Sequence, residues 1–227
     1  DKVRTPKFIG MDAKALQHIQ LGIGLERLTG LVRNQAWRDG SDASLHPAQR
    51  ALLAVLASEG ESMRAGALAA RLGVSAASIS DSIRAVEAKG WIERAQDPDD
   101  ARARRLSLTN TGADLIAGIQ RTDGGLAQLS QTLTDQDAAA LLRIVQLLIH
   151  QAQAQGLASG IRTCLGCAYF RPYANAKVDA EHPHVCAYVG APFGDAELRA
   201  DCAEQTPQRD AAALAEDVKR FREGLPS

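Results

Sequence analysis

All four cysteines of this 227-residue chain lie between residues 164 and 202. Their spacing is Cys-x2-Cys-x18-Cys-x15-Cys, formed by Cys164, Cys167, Cys186 and Cys202. The first two can bind one metal centre from a single tight turn, and the other two close longer loops whose entropic cost grows slowly with length. Thiolates in such groups bind structural zinc or iron–sulfur clusters. The segment has few aliphatic residues, so metal binding would supply much of its stability.

Disulfides and dispersed structural thiols are the alternatives to a metal site. The N-terminal sequence DKVRTPKFIG lacks the apolar core of a secretory signal, and no apolar run approaches the roughly 20 residues of a membrane helix. We therefore expect a cytoplasmic protein without membrane partners. Thiols stay reduced in the cytoplasm, which disfavours disulfides. Free structural cysteines are usually dispersed through a core, and these are not.

The spacing favours an iron–sulfur cluster, such as a [4Fe–4S] cubane, with structural zinc as the alternative. Zinc sites often use two close pairs of ligands, whereas only the first pair is close here. Residues 164–202 resemble high-potential iron–sulfur proteins, in which a Cys-x-x-Cys is followed by an aromatic residue and two separated cysteines. His182 and His184 could replace one cysteine, although histidines of a surface loop are the commoner explanation.

The sequence predicts no enzyme and no catalytic residue. Four thiolates fill a tetrahedral zinc site and leave no position for a reactive water. The sequence also lacks a glycine-rich phosphate loop, a G-x-S-x-G motif and an HExxH motif. A binding protein is therefore the better hypothesis.

The sequence before the cysteines predicts helices. Residues 11–38 carry apolar residues at close to helical spacing, and Pro47 and Gly60 mark the start and the end of a second helix. Residues 63–94 then predict a helix, a short turn at Gly73 and a second helix with Ser75 as its N-cap. This order is a helix-turn-helix.

The second helix of this pair could enter the major groove of DNA. Ile79, Ile83 and Val86 form its buried stripe, so small and polar residues lie opposite. Serines can bond phosphates or base edges, and arginine can bond guanine. An ordinary solvated face is the alternative, and Asp81 repels phosphate unless it pairs with Arg84. The candidate DNA contacts on this helix are Ser75, Ala77, Ser78, Ser80, Asp81 and Arg84.

A β-hairpin is predicted directly after the helix pair. Apolar and polar residues alternate in WIERAQ and in RRLSLT, which predicts two short strands. The segment DPDDARA lies between them, and its aspartates suit a turn. Arg102 and Arg104, with Arg105, form its basic side, and an arginine at a hairpin tip can enter a narrow minor groove. A solvated surface hairpin is the alternative, but it would not explain the preceding helix pair. Arg102 and Arg104 complete the candidate DNA contacts.

Residues 68–112 resemble the core of the MarR family of bacterial transcription regulators. The resemblance is carried by the recognition helix and by a wing of the form Asp-x-Arg leading into Leu-Thr-x-x-Gly, here Asp100, Arg102, Leu108, Thr109 and Gly112. It covers about residues 11–155. Two departures from the family pattern are Ala101, where a basic wing residue is usual, and Val86, where leucine is common.

The resemblance implies an obligate homodimer built from the first helix and the last two. Residues 134–155 are compatible with it, because they open with a capping-box-like Thr134-x-x-Asp137 and continue apolar on more than one face. A monomeric bundle is the alternative. Two-fold symmetry predicts a pseudo-palindromic operator in double-stranded DNA, with half-sites about one helical turn apart.

The predicted fold is mainly α with a small β-wing: a winged helix-turn-helix and dimerisation region at 11–155, a cysteine-rich metal module at 161–207 and an amphipathic helix at 208–224. The net charge of −1 allows only a local nucleic-acid site. The first hypothesis is a regulator whose operator binding is controlled by the cluster. The second is a regulator with a structural zinc and a small-molecule effector, as the family resemblance implies. The third is an electron-transfer protein whose winged helix binds a protein.

Overall fold

The computed structural model of the chain describes residues 12–38, 45–122 and 125–224. Its first elements are helix α1 (Ala13–Arg38), helix α2 (Pro47–Glu59), strand β1 (Met63–Arg64), helices α3 (Ala65–Leu72) and α4 (Ala76–Ala88), strands β2 (Ile92–Gln96) and β3 (Arg104–Leu108), and helix α5 (Asn110–Thr122). There follow helices α6 (Gly125–Ser130) and α7 (Asp135–Ala154), strands β4 (Phe170–Arg171), β5 (His184–Cys186) and β6 (Ala191–Phe193), a 3₁₀ turn (Asp195–Glu197) and helix α8 (Ala211–Glu223). The fold is mainly helical with a small antiparallel wing, as the sequence predicts, and it contains a second small antiparallel sheet.

The chain divides into two compact units. The smaller unit comprises residues 1–45 and 123–131, and in it helices α1 and α6 contact each other. The larger unit comprises residues 46–122 and 132–227. The winged helix and the cysteine segment therefore belong to one unit. Among the described residues, no helix is both long and apolar enough to span a membrane.

Helix α2 begins and ends where the sequence predicts. Pro47 occupies the first turn, and the preceding His46 caps the helix by accepting the backbone N–H of Ala48 at 3.4 Å. Gly60 closes the helix with φ = +67°, in the left-handed region that favours glycine. The buried face of α2 packs against α3, α4 and α5, and so forms the centre of the winged helix.

The predicted helix-turn-helix and hairpin are both confirmed. The buried stripe on α4 faces Leu68 and Ala69 of α3 and the leucines of α2 within one core. Strands β2 and β3 pair antiparallel from Ile92 opposite Leu108 to Gln96 opposite Arg104. Strand β1 adds a third strand on the other side of β3, which the sequence did not reveal, since two residues are too few to show a period of two.

The Leu-Thr-x-x-Gly segment fixes α5 against the wing. The Thr109 hydroxyl donates to the carbonyl of Gly90 at 2.7 Å and accepts the N–H of Gly112 at 3.1 Å. A Cβ atom on Gly112 would lie 2.0 Å from the carbonyl oxygen of Trp91. Only glycine allows this approach of two backbones, which explains the glycine in the motif.

The cysteine segment folds around a second small sheet and a core of its own. Strands β4, β5 and β6 pair antiparallel in that order. Leu165, Phe170 and Leu198 are buried together with Phe221 of α8, and Leu142 and Leu147 of α7 pack against them. The predicted amphipathic helix therefore docks on the cysteine segment. The sheet was not predicted, because its strands are only two or three residues long.

Candidate functional site

Helix α4 presents an exposed polar face from a well-anchored position. The Ser75 hydroxyl accepts the backbone N–H of Ser78 at 3.1 Å, which confirms the predicted N-cap. Ile79, Ile83 and Val86 are at most 3% exposed, so the buried face of the helix fixes its orientation. The candidate contact residues of this helix are all exposed: Ser75, Ala77, Ser78, Ser80, Asp81 and Arg84.

The polar groups of this face are satisfied locally and can exchange partners. The hydroxyls of Ser75 and Ser78 lie 2.7 Å apart, and the Ser80 hydroxyl donates to the carbonyl of Ala76 at 2.8 Å. Arg84 forms an ion pair with Asp81 three residues before it. Exposed pairs of this kind contribute little to stability, so the guanidinium can turn to a phosphate or a base at small cost. The pair also offsets the charge of Asp81.

The tip of the wing carries exposed arginines on a tight turn. A carboxylate oxygen of Asp100 accepts the backbone N–H of Arg102 at 3.0 Å, and the carbonyl of Asp100 accepts the N–H of Ala103 at 2.9 Å. Arg102 and Arg104 are exposed, so both are available to DNA. Arg105 is not: its guanidinium bonds the hydroxyl and the carbonyl of Ser62. Arg105, predicted on the same basic side, is only partly exposed and contacts Ser62 and Asp97 rather than lying at the tip.

The base of the wing is held by Asp97, which the sequence suggested only as a turn residue. Its side chain is buried and lies 2.7 Å from Arg64 and 3.7 Å from Arg105. The hydrogen bond from Arg64 holds the pKa of the Asp97 carboxyl well below its usual range. Asp97 also accepts the N–H of Asp99 at 2.9 Å, so the same carboxylate shapes the turn. The periodicity of the sequence does not indicate that an aspartate is buried beside a basic strand.

The four cysteines line one cavity. Its volume is about 40 Å³, more than the roughly 10–15 Å³ that one water needs. Tyr169, Phe170, Tyr188 and Phe193 contribute to its walls together with Cys164, Cys167, Cys186 and Cys202, and Thr163, Glu204 and Gln205 also line it.

The backbone around Cys164 is held by hydrogen bonds. The N–H of Arg199 donates to Cys164 Sγ at 3.2 Å, and Gln146 of α7, itself buried, accepts the N–H of Leu165 at 3.0 Å. The Gln146 amide also donates to the carbonyl of Arg199 at 2.9 Å. Burial raises the pKa of the Cys164 thiol to about 11, so the free thiol is protonated at neutral pH.

The cysteines share one cavity, but they do not form a recognisable metal site. Among the described residues, no three His, Cys, Asp or Glu side chains are arranged to hold one metal ion. The predicted cysteine-rich metal module is therefore not supported by the described part of the structure.

The two histidines do not line the cysteine cavity. His184 is fully buried, which corrects the interpretation of both as surface residues. The backbone N–H of Tyr173 donates to its Nδ1 at 3.2 Å, so Nε2 carries the proton that Asp195 accepts at 2.8 Å. His182 is exposed and lies 2.7 Å from Asp179, which raises the pKa of His182. Both imidazoles are thus engaged away from the thiols.

Two further cavities lie in the larger unit near these sites. A groove of about 550 Å³ is lined by Cys164, Cys186 and Cys202 and by the exposed Tyr188 and Val189. It shares Cys164, Cys186 and Cys202 with the cysteine cavity. A second cavity of about 360 Å³ lies between α2, β3 and α5.

Comparisons with known proteins agree with the winged helix. Residues 43–103 match the MarR family. The crystal structure of the MarR family transcription regulator SP03579 is 28% identical, with a TM-score of 0.51, and the match covers 63% of this chain and 97% of that one. YusO from Bacillus subtilis is 23% identical (TM-score 0.45, 63% and 99% covered), and apo MarR from E. coli is 24% identical (TM-score 0.40, 53% and 93% covered). No curated protein sequence matches the chain.

The matched segment contains the helix-turn-helix, the capped α4 and the first strand and turn of the wing. These elements present the exposed serines, Arg84 and Arg102 described above, whereas Arg104 lies one residue beyond the matched segment. Residues 43–103 therefore match a MarR-family domain, and the solved structures similar to the chain include a MarR family transcription regulator.

Proposed function

We propose that this protein is a dimeric transcription regulator that binds a pseudo-palindromic operator in double-stranded DNA under the control of an iron–sulfur cluster held by Cys164, Cys167, Cys186 and Cys202. The observation that carries DNA binding is the exposed polar face of α4 beside the arginine-bearing wing. The match of residues 43–103 to the MarR family supports the same conclusion.

The proposed DNA contacts divide into two kinds. The small residues at the start of α4, Ser75, Ala77 and Ser78, allow the helix to lie deep in the major groove, where serine hydroxyls reach phosphates or base edges. Ser80, Asp81 and Arg84 follow on the same helix, and Arg84 is free to leave Asp81 for a guanine or a phosphate. Arg102 and Arg104 extend the contact to the neighbouring backbone or minor groove.

The proposed dimer gives the operator its symmetry. Leu141, Ile144 and Leu148 of α7 are each 46% exposed and follow one another at helical spacing. In the other unit, α1 exposes Leu21, Leu28 and Leu31. Large apolar side chains on soluble helices usually mark an interface. A two-fold dimer would place two copies of α4 in successive major grooves, about one helical turn apart.

The grouping of the four cysteines supports the proposed cluster. Cys164, Cys167, Cys186 and Cys202 line one small cavity together with aromatic side chains. The N–H of Arg199 donates to Cys164 Sγ, which is the kind of hydrogen bond that tunes cluster potentials. When bound, a cluster would supply one-electron redox chemistry and sensitivity to oxidants.

The side chains around the cavity would determine how accessible the proposed cluster is to solvent. Tyr169, Phe170 and Phe193 shield the cavity, while the groove beside Tyr188 is lined by three of the same cysteines. A centre that is shielded but not sealed suits a sensor, because an oxidant or a chelator can reach it from one direction.

Binding to DNA is tested by fluorescence anisotropy with a labelled fragment from upstream of the protein's own gene. We expect binding in the nanomolar range at physiological salt, at least ~10³-fold tighter than to random DNA of equal length. Equal affinity for both fragments, with the metal centre intact, would contradict the proposal. That result would favour an electron-transfer protein whose winged helix binds a protein partner.

The cluster is tested by anaerobic purification followed by iron, sulfide and zinc analysis. We expect brown protein with visible absorbance that oxidant bleaches, and we expect Cys202→Ser to lose the metal and unfold the tail while the winged helix still folds. Full metal retention by Cys202→Ser would contradict the four-ligand assignment. Colourless protein with one zinc per chain would contradict the cluster.

A second candidate function is a regulator with a small-molecule effector and a structural zinc. The cavity of about 360 Å³ between α2, β3 and α5 favours it, since this space touches both the core helix and the wing strand. Calorimetric titration with candidate effectors in the presence of operator would distinguish it from cluster control.

A further inference from the structure

Four charged side chains form an alternating ring between the winged helix and the cysteine segment. Arg162 lies 2.6 Å from Glu59 and 3.1 Å from Asp201. Arg71 lies 3.2 Å from Glu59 and also pairs with Asp201. Each arginine therefore contacts both carboxylates. Three of the four side chains are at most 20% exposed, and only Asp201 is half exposed.

Two members of the ring lie close to cysteines in the sequence. Asp201 precedes Cys202 in the chain, and Arg162 lies two residues before Cys164. The backbone N–H of Cys202 donates to the carbonyl of Arg162 at 2.9 Å. This hydrogen bond links the two segments of the chain that carry the ring residues. A change in the positions of Cys164 and Cys202 must therefore displace both Arg162 and Asp201.

The other two members belong to the helix-turn-helix. Glu59 is the last residue of α2, and Arg71 lies two residues before Gly73, which closes α3 and opens the turn to α4. The N–H of Gly73 donates to the carbonyl of Ala70 at 3.2 Å, and that of Val74 donates to Ala69 at 3.0 Å. Through Arg71, the ring therefore lies next to the turn that sets the direction of the recognition helix.

The backbone adds a second, close-packed contact at the same place. A Cβ atom on Gly160 would lie 2.3 Å from the carbonyl oxygen of Ala70, and Gly160 has φ = +69°. The Arg71 guanidinium donates to the carbonyl of Gly160. Residue 160 can therefore be only glycine here, and the chain that leads into the cysteine segment lies directly against the end of α3.

We propose that this ring of Arg71, Glu59, Arg162 and Asp201 is the connection through which the state of the cysteine cavity changes the position of the recognition helix. The proposal rests on the proposed function, because it assumes a centre that is gained or lost at the cysteines. Coupling between two sites requires contacts that differ between two states. A partly buried ring meets this need, since a small displacement leaves a charge without its partner at considerable cost.

The matched test removes one negative charge of the ring at a time with little change in side-chain shape. Asp201→Asn and Glu59→Gln are compared with Glu216→Gln, which removes an exposed ion pair with Arg220 on α8. For each protein, operator affinity is measured by anisotropy in two forms, reconstituted anaerobically with iron and sulfide and stripped with chelator. We expect the wild type and Glu216→Gln to differ between forms by about 5- to 150-fold.

For the two ring variants we expect this ratio to fall to within about twofold of one, with unchanged iron content and visible absorbance. Variants that hold the cluster and keep the wild-type ratio would overturn the role of the ring while leaving cluster control intact. A wild type whose two forms bind equally would overturn cluster control itself, and with it the ring. The two failures are thus distinguishable.

Hydrogen exchange on the wild type gives a test that needs no variant. The amides of Gly73 and Val74 should exchange at rates that differ between the loaded and stripped forms, because their hydrogen bonds end the helix that the ring holds. Amides at the centre of α5 serve as the reference for global stability. Equal protection of Gly73 and Val74 in both forms would overturn the proposal.

Discussion

Asp97 shows how a single residue shapes the DNA-binding wing. Its buried carboxylate joins β1 to the hairpin through Arg64 and accepts the N–H of Asp99 in the turn. Arg105 is also directed towards it. Since Arg102 and Arg104 lie on the same hairpin, the position of both depends on this buried group.

We expect Asp97→Asn to lower the melting temperature at neutral pH, because Arg64 and Arg105 lose a charged partner. The pKa of the Asp97 carboxyl is depressed in the folded protein. Its stabilisation is therefore present above the unfolded value of about 3.9 and is lost as the pH falls towards the folded value. Urea unfolding followed by circular dichroism should show the difference from wild type shrinking progressively below pH ~3.9. Asp99→Asn, at an exposed site, is the control, and an equal effect of both variants would refute the role of Asp97.

Arg102 is the residue with which to test the wing contact. We expect Arg102→Ala to weaken binding to operator and to random DNA by similar factors, because a backbone or groove contact carries little sequence information. The slope of log affinity against log salt should fall by about one. Arg209→Ala, at an exposed site before α8, should leave both quantities unchanged. Unchanged affinity of Arg102→Ala in anisotropy titrations would rule out the contact.

At the scale of elements, helices α7 and α8 complete the core of the cysteine segment. Leu142 and Leu147 of α7 pack against Leu165 and Phe170, and Phe221 of α8 lies fully buried among them. Phe221 and Phe170 meet edge to face, with ring centroids 5.6 Å apart. The segment is therefore packed on two helices in addition to any metal it binds.

We expect Phe221→Ala to destabilise the larger unit by about 3–5 kcal/mol, because it removes a fully buried aromatic side chain. The cysteine segment should also retain less iron after reconstitution. Urea unfolding monitored by circular dichroism measures the first effect and metal analysis the second. Leu157→Ala, at a site 77% exposed, is the matched control. A loss below about 1 kcal/mol would show that α8 is not part of this core.

At the scale of the whole molecule, the proposed dimer determines operator binding. We expect Ile144→Asp, on the exposed face of α7, to yield monomers in analytical ultracentrifugation. Binding to a two-half-site operator should weaken by about 10²-fold or more, since the two half-sites are then no longer bound together. Val178→Asp, at a site 86% exposed in the cysteine segment, should remain dimeric. A monomeric wild type would refute the interface.

Local patterns in the sequence were enough to predict much of the winged helix. Pro47, Gly60, Gly73 and Ser75 mark helix ends through backbone geometry and capping, which depend only on neighbouring residues. The buried stripe of α4 and the strands of the hairpin follow from periodicities of 3.6 and 2. The grouping of the four cysteines was also visible from their spacing.

The contacts between distant segments were decided by tertiary structure alone. Asp97 meets Arg64 across 33 residues, and Arg71 meets Asp201 across 130. The β4–β5–β6 sheet, the buried His184 and the contact of Arg105 with Ser62 likewise depend on which segments pack together. A charged or polar residue reads the same in a sequence whether it is solvated or paired. Its burial and its partner are set only when the folded chain removes water from around it, and that is why the sequence predicted the elements but not the ion pairs that join them.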